Sequence, residues 1–177
     1  MQLTDRELWG VIHGMGLGAL FLLAFGGGLA GLWSLREGLV TPEGVEERTP
    51  RLLVGTWAMA IVAWLTVLVG TFIVYPWYRA KPPAGVTDLA AYPRVLLLSN
   101  PNTAQWHQFG MEWKEHVAWI APLLATAVAF VVLYYGAQLI RHPEVRRALL
   151  VLFTLAFAAA AVAGLLGAFI TKAAPVA

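Results

Sequence analysis

Four histidines carry most of the chemistry open to this chain: His13, His107, His116 and His142. Cysteine is absent, which excludes disulfides, thiolate metal sites, iron–sulfur clusters and covalently attached haem. Imidazole, carboxylate, thioether and backbone groups are the ligands that remain. His13 falls inside an apolar run, where an imidazole is costly unless something pairs with it. Gly10 and Gly16 stand three residues to either side, on its own helical face, and Gly14 and Gly18 add backbone clearance. Such clearance suits a flat macrocycle lying beside its ligand. Small residues at four-residue spacing, as in Gly10-Gly14-Gly18 and Gly27-Gly31, equally let membrane helices approach closely with no cofactor.

The second concentration of function runs from Trp106 to His116 and holds His107, Met111, Glu112 and His116. In helical form it sets Glu112 one turn before His116 and Met111 one turn after His107. Glu112 can then orient an imidazole by accepting its N–H, or take a proton from a bound quinol. Met111 can serve as an axial ligand, and His107 competes with His116 as partner to His13. The alternative is an interfacial helix whose charges face water while its tryptophans anchor it. Tyr75-Pro-Trp-Tyr-Arg79 closes another apolar run. Arg79 or Lys81 suits a haem propionate, because guanidinium binds carboxylate through two parallel bonds. Ordinary anchoring at a membrane edge suits them too. His142, between Arg141 and Pro143, reads as an interfacial residue near a helix end.

The elements that must position these groups follow from hydropathy. The chain is 59% hydrophobic and 12% charged, with a mean hydropathy of +0.69. That charged share is about half of what a soluble domain carries. Spanning the bilayer takes roughly 20 apolar residues in helix, and four runs qualify: 8–33, 52–75, 116–140 and 148–170. In lipid the backbone must satisfy itself within each run, so all four are expected to be helices. The expected fold is an all-α integral membrane four-helix bundle, antiparallel and up-down, in one domain over 1–177. The first run is too long for a cleaved signal and reads as a retained helix. Residues 34–51 and 76–115 read as loops, the second long and broken by Pro82, Pro83, Pro93 and Pro101. Its Val95–Leu98 run is too short to span and is expected against the membrane surface, and helix is allowed from Asn102 onward. Pro122 should weaken or kink the third span.

Lys and Arg are shared evenly between the two membrane faces, so their density sets the orientation. Arg141, Arg146 and Arg147 crowd one tight turn. That places the turn inside and both termini and the long loop outside, in the cell inner membrane. In this topology the first and third spans begin at the same face, so His13 and His116 share a depth and can ligate one haem iron between facing helices. A net charge of +2 with bases confined to loops gives nucleic acid no footprint. No nucleophile–base constellation supports hydrolysis.

Four spans, a glycine-flanked His13 and a depth-matched His116 resemble the small four-helix membrane b-type cytochromes. The resemblance implies one haem b held non-covalently near the outer face, with His13, His116, Gly10, Gly16 and Arg79 around it. It also implies electron exchange with a quinol or a partner redox subunit. The second and fourth spans have no histidine, so a relay of two stacked haems is not expected. A cofactor-free structural or assembly subunit, docking a larger partner through its long loop and tryptophans, is the competing expectation. Metal binding by His107, Met111, Glu112 and His116 is the third.

Overall fold

The computed structural model describes residues 3–175, and among these every regular element is helical. Four long helices carry the apolar runs: α1 (Asp5–Ser34), α2 (Pro42–Tyr78), α4 (Pro101–Arg141) and α5 (Pro143–Ala173). A short α3 (Pro93–Leu98) lies between α2 and α4. Each long helix is long and apolar enough to cross a bilayer, and only 17–33% of each apolar window is buried within the chain. Large side chains such as Leu23, Phe72 and Val54 remain exposed. Apolar surface on that scale requires lipid as its solvent, and the chain reads as a multi-pass membrane protein.

Two helices begin earlier than their apolar runs do. Pro42 opens α2 because a proline at the first helical position gives up an N–H that has no partner there anyway. Thr41 precedes it, and its hydroxyl accepts from the Gly44 N–H at 3.2 Å. The polar residues 42–51, expected as loop, therefore form the first turns of α2, with Glu47 and Arg51 paired at 2.5 Å. Asn100 caps α4 in the same manner, accepting from the Asn102 N–H at 2.9 Å ahead of Pro101. Within α4 the regular helix lapses into turns at 117–119, just before Pro122. Proline cannot donate to the carbonyl of Ala118, and its ring crowds that carbonyl. Gly136, with φ of +49°, ends the α-helical part of α4.

The chain divides into two compact units, one of residues 3–18, 65–118 and 161–175, the other Ala19–Trp64 with Trp119–Ala160. The second unit has a core of Leu32, Met59, Val128, Val132, Leu149 and Phe153, all buried. Its helices meet at glycines. A Cβ on Gly55 would stand 3.4 Å from the Gly28 nitrogen, and one on Gly28 would stand 2.6 Å from the Phe153 ring. Phe25 stacks on Phe157 with centroids 4.0 Å apart. The first unit has a smaller apolar core of Tyr78, Leu97, Met111, Ile170 and Ala174. It holds His13, Arg79, His107, Met111 and His116, but not His142.

Candidate functional site

The first unit is built from helix ends, and its ordering begins at the N-terminus. Thr4 and Glu7 form a reciprocal cap on α1, with the Thr4 N–H donating to Glu7 at 2.8 Å. Arg6 reaches the Ala91 carbonyl at 3.1 Å, tying α1 to the long connection. Three stretches of π-helical winding follow: Ile12–Gly16, Gly70–Val74 and Trp106–Met111. All three fall in this unit. Widened turns of that kind re-aim side chains and gather at functional sites. One holds His13, another opens at Gly70, and the third holds His107.

His13 and Gly70 meet directly. A Cβ on Gly70 would stand 2.9 Å from His13 Cε1 and 3.4 Å from its Nε2, so any side chain there would force the ring to shift. His13 Nδ1 is buried without a hydrogen-bond partner. The backbone of Thr66 lies within hydrogen-bonding reach of the ring, and the charge of Lys114 acts on it. Lys114 is seated in turn against α5, its Nζ 2.5 Å from where a Gly167 Cβ would stand. By contrast, a Cβ on Gly10, Gly14 or Gly18 would meet nothing within 4 Å, and one on Gly16 would meet only the Val11 carbonyl at 4.0 Å. The glycines flanking His13 thus border open space and make no close helix contact. Close packing falls to Gly28, Gly31 and Gly55 instead.

His107 is buried, and both its nitrogens are engaged. Arg94 Nε donates to Nε2 at 3.3 Å. A neutral ring must then carry its proton on Nδ1 and donate it to the Tyr78 hydroxyl oxygen at 2.9 Å. The arrangement links α2, α3 and α4 through one imidazole. A metal would reach His107 only by displacing Arg94 or Tyr78. Met111 lies in the apolar core with Leu97 and Ile170.

His116 is the opposite case. Its side chain is 72% exposed, and Nδ1–H donates to the Glu112 carbonyl at 2.9 Å, with the Glu112 carboxylate 3.7 Å away. That bond fixes the tautomer and leaves Nε2 as the free basic nitrogen. Ligating histidines are held in this manner, their other N–H on a carbonyl or carboxylate. Arg79 hydrogen-bonds the Tyr75 hydroxyl and lies 3.6 Å from Glu115. Glu115 Oε1 and Trp113 Nε1 are buried without partners. His142 lies in the other unit, bonded to Glu144 at 3.2 Å and edge-on to Tyr135.

The pattern of residues did not reveal Tyr78 and Arg94 as the partners of His107, or Gly70, Lys114 and Gly167 around His13. Tyr78 is 29 residues from His107, and no local spacing encodes a pairing at that range. No group of three or more metal-binding side chains occurs among the described residues. Comparison with known protein families, curated proteins and solved structures finds no match to this chain.

Proposed function

We propose that the chain is a membrane electron-transfer subunit holding one b-type haem, with His13 and His116 as its axial ligands. The observation that carries this reading is the open space around Gly10, Gly14 and Gly16, beside an imidazole with an unpartnered nitrogen. Had those glycines been filled by a neighbouring helix, close packing would account for them and leave a macrocycle no room. His116 fits the donor set as well, because its bond to the Glu112 carbonyl leaves Nε2 free. Haem, when bound, supplies one-electron chemistry. The chain's own residues orient the imidazoles and offer Arg79 to a propionate in place of Glu115.

The reading includes an antiparallel up-down bundle, in which α1 and the apolar part of α4 start at one face. It places the chain in the cell inner membrane, with both termini and the 76–115 connection outside. A quinol or a partner redox subunit exchanges electrons there. A second reading, the cofactor-free structural or assembly subunit, is favoured by one specific contact. The His13 ring packs on Gly70, so ligation from that side needs the ring to turn.

The two readings part on an optical spectrum of protein purified from haem-replete cells, oxidised and then reduced with dithionite. The haem reading expects a Soret band that shifts on reduction. His13→Ala and His116→Ala should each abolish the low-spin signature, while His142→Ala keeps it. If both variants retain the wild-type spectrum, these two residues are not the ligands.

A further inference from the structure

The second unit contains an unneutralised cluster of guanidinium groups with no part in the reading above. Arg146, on the first turns of α5, donates through one terminal nitrogen to the Leu35 carbonyl at 2.5 Å. That bond brings it beside Arg36. Arg36 is held by a bond from Nε to the Trp33 carbonyl at 2.7 Å and lies over the Trp33 ring at 3.7 Å. Arg147 follows in sequence, its Nε on the Pro143 carbonyl at 3.3 Å. The arginine charges that act on Arg146 are those of Arg36 and Arg147, both of its own sign.

Among the described residues no carboxylate lies in ion-pair contact with them. Glu144 feels Arg147 but is bonded to His142, and Glu37, next to Arg36 in sequence, is exposed. Arg146 Nε is buried and has no acceptor. Positive side chains at a helix N-terminus also oppose the helix dipole, which favours anions there. An anion from outside the chain would neutralise like charges gathered at such a place.

We propose that Arg36, Arg146 and Arg147 bind a phosphate group, which a membrane offers as the headgroup of an anionic phospholipid. Trp33, 59% exposed, suits that depth, since indole favours the interfacial zone. Guanidinium matches phosphate through paired N–H donors, and basic pockets at helix ends are where anionic headgroups bind.

Native mass spectrometry of the whole chain in detergent tests this, with phosphatidylglycerol, phosphatidylcholine and inorganic phosphate as separate probes. One phosphatidylglycerol should stay bound where phosphatidylcholine does not. Arg36→Gln with Arg147→Gln, which spares the Arg146–Leu35 bond, should weaken its retention about thirtyfold. Lys81→Gln with Lys172→Gln, a matched charge loss in the other unit, should change it little. Retention of inorganic phosphate, lost in the same arginine variant, supports the site with free phosphate as its ligand. Equal retention of phosphatidylglycerol by wild type and arginine variant overturns the proposal, as does equal weakening by the lysine control. Should the double variant not fold, Arg147→Gln alone repeats the comparison at an exposed residue.

Discussion

Among the histidines, burial is no guide to ligand capacity. His107 is the most enclosed, yet Arg94 and Tyr78 occupy both its nitrogens, so its work is to hold the 75–116 connection in place. Arg94→Leu strands His107 Nε2 without a donor. Leaving a buried polar group unpaired costs about 1–3 kcal/mol. Unfolding in detergent should show that loss, with faster protease cleavage between Arg79 and Pro101. His116→Gln, at an exposed ring, should stay within about 0.5 kcal/mol of wild type. An equal loss for the two variants would show that His107 is no keystone. Residue types and spacing could mark all four imidazoles as candidates, because a histidine near lipid is unusual anywhere. They could not show that His107 is already satisfied. Its partners are distant in sequence and meet only when α2, α3 and α4 fold together.

Hydropathy alone made the four apolar runs legible at the level of elements, because lipid leaves helix as the only form for such segments. Their ends were harder to read. Pro101 looked like a break and Pro42 fell in an expected loop, yet both are first residues of helices, made so by Asn100 and Thr41 ahead of them. Glycine spacing was legible as a motif but not as a location. The same four-residue interval borders open space at Gly10, Gly14 and Gly18, while a Cβ on Gly31 would stand 3.0 Å from Leu52. Gly28→Ala drives a methyl into the Phe153 ring, 2.6 Å from its Cζ. Overpacking of that kind costs about 1–3 kcal/mol, and Phe153→Leu should relieve part of it. Gly27→Ala meets nothing within 4 Å and should instead stabilise the helix by up to about 1 kcal/mol. Thermal unfolding of the variants in one detergent checks the order. Equal midpoints for Gly27→Ala and Gly28→Ala would contradict the packing described.

For the molecule as a whole, the residues that could do chemistry and the residues that pack fall into different units. Every stretch of π-helical winding, the candidate ligands His13 and His116, and the partnerless His13, Trp113 and Glu115 atoms lie in the first unit. The second carries the larger apolar core and the arginine cluster. Composition could announce a membrane protein, and an interrupted set of glycines around one histidine could suggest a cofactor. Neither could tell which way the His13 ring turns, because Gly70 and Lys114 come from other helices. The most direct measurement is therefore haem content per chain, by chemical extraction from detergent-purified protein grown with ample haem. The account predicts one non-covalently bound haem for each chain. A folded, monodisperse preparation that yields none would contradict it and leave the cofactor-free subunit as the reading of this fold.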